Sequence, residues 1–334
     1  MKNRFLSFFM VIVFLMLFTS CSAKSTSGSG QDYIISSIGF DNNEGKLAIC
    51  LEAIIINSED SSANKNVKLI YGKGNNAKEA FAQAEMQTVQ SLTLSHCTTV
   101  AIGNSVTEKQ LNDIYDFLYN TDRFSLSMIL VSCDKAFELL GCTPNSSIAI
   151  GYDILSYLER LEKRTGTVLL NKLYNISAMK ENPLIITSLP YLSVENNEFS
   201  YSGLVVYQEN RKPLNLSQDN ALIFLIINSH QKNGSFILNQ SLYTTSGILC
   251  KPDFSKLEDN QIGLTITIRH KQNIEDEIKT NILQLFSIAK QSNIDIFGFY
   301  NKLFYTNRKI FNQKKDEILN LNYKLNINIV YKEE

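Results

Sequence analysis

This sequence of 334 residues has no tryptophan, five prolines and three histidines. The histidines, His96, His230 and His270, lie far apart with no HExxH or His-x-His spacing, so no zinc site is spelled out. There is no GxSxG elbow, which removes one common serine nucleophile signature. No CxxC pair occurs among the six cysteines. Charge is almost balanced, 32 basic against 33 acidic residues, and well mixed. Without a basic tract there is no electrostatic footprint for nucleic acid. Beyond Phe18 no apolar run is long enough to span a bilayer; the longest, "ALIFLII" (221–227), fits a buried helix or strand. Glycine and proline are scarce while asparagine is frequent, a bias that suits AT-rich coding and says little about fold.

The amino terminus is informative. Lys2 and Arg4 form a basic start, and Phe5 to Phe18 is apolar except for Ser7. That is the length of a signal-peptide core and short of the ~20 residues of a membrane helix. Thr19 and Ser20 are small and precede Cys21, so "LFTSC" resembles a lipobox, with Phe18 where an aliphatic residue is usual. The expectation is a signal peptide over 1–20 and a diacylated Cys21. The alternatives are an ordinary cleaved signal or an uncleaved helix. Two acyl chains make a stable anchor. Residues 22–31 are Ser/Gly-rich, a flexible tether reaching ~17 Å on average. With Cys21 acylated, five cysteines remain, an odd number that argues against a disulfide framework. They read as buried thiols; the alternative is a single bridge, Cys133 to Cys142.

Further along, "DYIISSIGF" and "KLAICLEAIII" flank "DNNEG", a hairpin signal. "VKLIYG" is a strand, and residues 76–92 read as a helix with Ala80, Ala84, Val89 and Leu92 on one face. Strand "CTTVAIG" precedes a helix capped by Thr107 with a stripe of Leu111, Ile114, Phe117 and Leu118. "SLSMILVS" is a strand, and "DKAFELLG" a short helix with Asp134 as cap and Gly141 as stop. Two helical segments between 147 and 179 split near Gly166. "EFSYSGLVVYQ" is a strand and "LSQDNALIFLIIN" a helix capped near Ser217. "QIGLTITIRH" is a strand, and Asn273 caps a helix whose face carries Ile274, Ile278, Ile282, Leu285, Phe286 and Ala289. "NYKLNINIVYK" alternates as a half-buried strand. Strands alternating with helices indicate a mixed α/β fold. The expected division is 32–146 as an N-terminal α/β domain, 147–195 as a helical connector, 196–256 as a middle domain and 257–334 as a C-terminal α/β domain.

Few residues suggest chemistry. "GKGNNAKEAF" lacks the third glycine of a dinucleotide loop and the GK[ST] of a Walker loop, so a tight turn with an asparagine cap is the better reading. His96 and Cys97 are adjacent, but on a strand neighbours face opposite ways and make no working pair. Glu275, Asp276 and Glu277 begin a helix, where the dipole favours negative charge. No enzyme is expected, and no cofactor or metal.

Several stretches, in order, resemble the Ger(x)C family, the lipoprotein C subunits of spore nutrient germinant receptors. "IISSIGFD" is similar to the family's opening strand with its Ile-Gly-x-Asp turn. "YGKGNNAKEAFAQA" resembles its glycine turn and helix. In the stretch from Leu94 to Leu140 the histidine after Leu-Ser, the Ile-Gly and the Ala-x-Glu-Leu-Leu ending sit where the family has them. "GLVVYQENRKPLNLSQDNALIFLIIN" and "IEDEIKTNILQLFSIAKQSNIDIFGF", with its D-x-FGF sequel, resemble later family segments. The likeness is dispersed over roughly 33–331. It departs after Cys21, where the family often has Trp-Asp and an Arg-Glu pair, and lacks the usual C-terminal Trp. The resemblance implies a three-domain α/β lipoprotein held by Cys21 on the outer face of the spore inner membrane, with integral-membrane A and B receptor subunits as partners and no catalytic residue. The competing expectations are a lipid-anchored solute-binding protein, which needs a lined cleft, and an envelope enzyme.

Overall fold

Three strand pairs in the computed structural model turn on two-residue loops in which both residues have positive φ: Glu44–Gly45, Asn196–Asn197 and Asn239–Gln240. This is the type I′ pattern, whose twist matches that of the flanking strands. Asn260 and Asn293 also hold positive φ. Asparagine tolerates that region better than most side chains. In a chain poor in glycine, the asparagine excess therefore has a backbone role that composition did not suggest. The structure describes residues 32–55, 67–143, 148–180, 186–208, 211–228, 230, 234–245, 247–269 and 274–332. Cys21, the tether and the Asn273 cap lie outside these.

The hairpin around "DNNEG" is present: β1 (Tyr33–Asn43) pairs antiparallel with β2 (Lys46–Ile55). β3 (Val67–Gly74) lies antiparallel outside β2. A short β4 (Leu92–Thr93) pairs parallel with the start of β1. β5 (Thr99–Gly103) continues beyond β4 along the side of β1 away from β2, and β6 (Ile129–Cys133) follows, all in parallel. β7 (Thr187–Glu195) runs parallel to β6, and β8 (Glu198–Tyr207) and β9 (Leu214–Ser217) close the sheet antiparallel. The result is a nine-stranded mixed sheet in the order β3-β2-β1-β5-β6-β7-β8-β9, with β4 beside β1. Strands from residues 187–217 are thus hydrogen-bonded into the same sheet as the N-terminal hairpin.

Helices cover this sheet on both faces. α1 (Ala77–Glu85) starts at Asn76, whose side chain accepts from Glu79 N at 2.8 Å. It ends seven residues before its expected end because the chain must leave the helix to form β4; Val89, expected on the apolar face, is 98% exposed. α2 (Glu108–Asn120) has the Thr107 cap as a full capping box with Gln110. α3 (Ala136–Leu140) stops at Gly141, but Asp134 does not cap it. That carboxylate instead accepts from Tyr191 Oη at 2.6 Å and Asn104 Nδ2 at 3.0 Å. α4 (Ile150–Thr165) ends at Gly166 with φ 60°, and α5 (Leu173–Lys180) follows, the expected split. The side chains of α1, α2 and α5 pack on one face of the sheet, those of α3 and α4 on the other.

α6 (Gln218–Ile227) is apolar all round, and Ala221 to Ile227 are all buried. A helix without a polar face must be covered on every side. Leu204, Val206 and Leu216 of the large sheet cover it from one direction. From the other come β10 (Gly234–Leu238), which pairs with β11 (Ser241–Thr245), and a three-stranded sheet. That sheet consists of β12 (Ile248–Asp253), β13 (Gln261–Arg269) and β14 (Lys324–Lys332). β13 and β14 are parallel, and between them run α7 (Glu275–Ser292), α8 (Phe299–Thr306) and α9 (Arg308–Leu319). All six residues expected on the apolar face of α7, Ile274 to Ala289, are buried.

The α7 register gives a sharp contrast. Ile282 is fully buried and Leu283 is half exposed. Ile282→Ala should cost about 2–5 kcal/mol, whereas Leu283→Ala should stay within about 0.5 kcal/mol. Urea unfolding of both variants measures the difference; equal losses would mean that the face is misassigned.

Candidate functional site

The most elaborate polar arrangement surrounds Glu52, a lone acid in the apolar run of β2. It is 1% exposed. Opposite it, β1 carries a bulge between Ile35 and Ser37, a place where two residues face one. The bulge brings both serines to the carboxylate, Ser36 Oγ at 2.6 Å and Ser37 Oγ at 2.7 Å. The remaining donors are backbone N–H groups at the start of α4, Ile150 at 2.6 Å and Gly151 at 3.0 Å. A helix N-terminus has unpaired N–H groups and partial positive charge, so the acid acts as a cap from another element. A side chain at Gly151 would put its Cβ 2.7 Å from both Ser36 O and Ser37 Cβ, so only glycine permits this approach. Thr99 Oγ1 donates to Gly151 O at 2.9 Å and ties β5 to the same point.

The same device recurs. Asp41 accepts from Ala136 N and Phe137 N, both at 3.1 Å, and so caps α3 in place of Asp134. Burial raises the Asp41 pKa against the lowering effect of these two bonds. Gly39 leaves room for α3: a Cβ there would meet Ala136 Cβ at 3.0 Å. Asp113 of α2 accepts from Ala77 N at 2.6 Å and caps α1 a second time. At the other end of the chain, Asp295 accepts from Tyr300 N at 2.8 Å at the start of α8. It is buried beside Phe297 and Phe299, whose rings stack with centroids 5.2 Å apart. Burial raises its pKa, against the opposing pull of the helix N–H groups and the Lys302 ammonium. Lys302 is held by Phe297 O at 3.0 Å and Asn228 Oδ1 at 3.3 Å. Each of these acids binds a helix end, which is an architectural role.

One open cleft, of about 570 Å³, lies along β3 at the sheet edge. Lys68, Lys73, Gln83, Asn43, Tyr71 and Phe137 line it. Gln83 Oε1 takes the Lys73 backbone N–H, and the Tyr71 and Phe137 rings meet with centroids 5.4 Å apart. The lining has ammonium and amide donors but no carboxylate or imidazole base. It suits a small anionic or zwitterionic solute better than catalysis.

The sulfur chemistry is equally quiet. Cys50, Cys97, Cys133, Cys142 and Cys250 are all free and buried, so Cys133 and Cys142 form no bridge. Burial pushes Cys50 and Cys97 up to about 12 and Cys250 to about 11. A thiol protonated to that degree is not a nucleophile. His96 is exposed in a turn and Cys97 is buried, so the two do not meet. Glu275, Asp276 and Glu277 occupy the first turn of α7 as expected. Among the described residues no three His, Cys, Asp or Glu side chains are grouped to hold a metal, and no helix is long and apolar enough to cross a membrane. Cys21, the one site residue expected, lies outside the described residues.

Sequence reasoning passed over Glu52, although a signal was there. One acid in the middle of an apolar strand, with Ser-Ser on its hairpin partner, announces a buried polar pairing.

Residues 31–194 match the family model described as the spore germination protein N-terminal domain. The match stops just before the β7–β8 turn. No curated protein matches the chain. Among solved structures, the crystal structure of the GerBC protein superposes with a TM-score of 0.54, covering 89% of this chain and 97% of that one at 12% identity. That likeness is one of fold.

Glu52→Ala would strand four donors in a buried site and should cost on the order of 3 kcal/mol or more. Glu52→Gln, which keeps acceptor capacity, should cost less; equal Tm losses in thermal unfolding would argue against a specific carboxylate role. Asp295 gives a pH test. Its folded pKa is raised from 3.8, so the folded state holds the proton more tightly and stability falls as pH rises from about 4 through the folded value. Asp41 shifts in the same direction and stays as background. Asp295→Asn should therefore gain on the wild type between acidic and neutral pH in urea midpoints; a constant difference would refute the shift.

Proposed function

This chain belongs to the Ger(x)C family of spore germination proteins, and from that premise we propose that it is the C subunit of a nutrient germinant receptor. The observation that carries the reading is the domain match over residues 31–194. Cys21 holds the subunit by its lipid to the outer face of the spore inner membrane. The integral-membrane A and B subunits are its partners. Its contribution is non-catalytic: a scaffold of rigid units that presents surface to the membrane subunits. Two features support this. Four helix ends are capped by acids from other elements or loops, two of them, Glu52 and Asp295, buried, which favours a fixed shape over a moving one. The thiols are protonated and buried, and the open cleft has no base.

The cleft along β3 favours a second reading, a lipid-anchored solute-binding protein. Its two lysines and its amides provide the recognition chemistry for a carboxylate-bearing solute.

A mild-detergent pull-down from spore inner membranes, with partners identified by mass spectrometry, separates the two. Co-recovery of two multi-spanning receptor subunits is the expected result. Recovery alone, together with thermal stabilisation by a nutrient amino acid, would favour the solute-binding reading. Cys21→Ala should shift the protein from the membrane to the soluble fraction and impair germination; normal retention and normal germination in that variant would remove the anchor from the account.

A further inference from the structure

The edge of the large sheet at which the chain joins the fold exposes several large apolar side chains. β1, β5 and β6 are parallel, so their first residues share one edge. α1 and α2 run back to that edge, and a salt bridge of 3.1 Å between Arg123 and Glu85 ties their ends together. Asp32, the first described residue, sits there too. Its carboxylate accepts from Ser91 Oγ, and Tyr33 N donates to Ser91 O at 3.0 Å. The turn that follows α1 therefore stands directly beside the point where the tether enters. That turn exposes Val89 almost completely and Met86 to 79%. Along the same edge Tyr119, in the last turn of α2, and Leu126, before β6, are about half exposed. So is Tyr174, whose N–H donates to Leu126 O at 3.2 Å.

We infer that this edge lies against the bilayer, with Val89 and Met86 entering the headgroup–acyl boundary and Tyr119, Leu126 and Tyr174 resting at the interface. The inference rests on the reading that Cys21 carries the lipid. The length of the tether makes the argument. Ten residues, 22–31, separate Cys21 from Asp32, and the eleven Cα steps they span reach at most ~40 Å fully extended. Of all surfaces, the one carrying Asp32 is held nearest to the lipid. Tethering raises its effective concentration there, so contacts too weak to bind alone become populated. Tyrosine suits the interface, with an apolar ring and a polar tip. Charge at this edge is mixed. Glu85 is paired with Arg123, Lys68 lies over the Tyr33 ring at 5.7 Å, and Asp32 and Asp122 balance the cations. Attraction to the bilayer therefore comes from apolar side chains and not from anionic headgroups.

The test uses the full-length lipidated protein reconstituted into phosphatidylcholine/phosphatidylglycerol vesicles. Val89→Cys and, as a control in the β1–β2 turn at the opposite edge, Glu44→Cys are each labelled with an environment-sensitive dye under native conditions, where the other thiols are buried. Flotation with the vesicles is scored alongside. The expected result is co-flotation, with a blue shift and quenching by doxyl lipid at position 89 and neither at position 44. Co-flotation with position 89 as accessible to aqueous iodide as position 44 overturns the edge and leaves the anchor standing. Failure to co-float, with Cys21→Ala indistinguishable from the parent, overturns the anchor and the edge together.

Discussion

A carboxylate buried without water is costly, by several kcal/mol even after relaxation, unless every lone pair finds a donor. The N-terminal half is arranged around meeting that demand at Glu52. Its four donors come from a bulge in β1 and from the first turn of α4, almost a hundred residues further on. The two bonds to Ile150 N and Gly151 N tie the first turn of α4 to the β1–β2 pair. Gly151 and Thr99 then follow from the close approach this requires. Asp41 and Asp113 repeat the logic for α3 and α1. These helices are located by their ends as well as by their apolar faces.

The C-terminal half uses the opposite device. α6 has no polar face to orient it, and it is held because the large sheet lies on one side and the small sheet with α7 on the other. Hydrophobic burial is non-directional, so the surrounding strands supply the geometry. The helix makes one core out of strands that belong to two sheets. A stiff joint between them follows, since neither sheet can shift without uncovering Leu222 to Ile227.

What the sequence disclosed was local. The "DNNEG" hairpin, the Thr107 capping box, the break at Gly166 and the α7 face each depend on residues a few positions apart. What it concealed was distant. Nothing near Glu52 names Ile150 as its partner, and nothing near residue 187 says that β7 will pair with β6 in parallel. Helix α1 ended early because β4 competes for Leu92, a tertiary demand that outweighs helical periodicity. The D-x-FGF and Ile-Gly-x-Asp patterns were visible as words. Their meaning, an acid facing helix N–H groups with glycine close by, needed coordinates. The asparagine excess looks like compositional bias in the sequence, yet it supplies left-handed residues of two hairpins and two further turns.

The parallel pairing of β13 with β14 has a consequence for how the protein comes into being. β13 is the middle strand of its sheet, but its second neighbour is reached only after three helices. Closing so long a loop is slow, and parallel pairing over such a distance gives no local nucleus. Until β14 is in place, β13 has one edge bare, the state in which strands adhere to other chains. The large sheet, by contrast, has its first six strands by residue 133 and its last by Ser217. The bare edge is closed only by β14, so truncation before Lys324 would leave β13 permanently unpaired on that side.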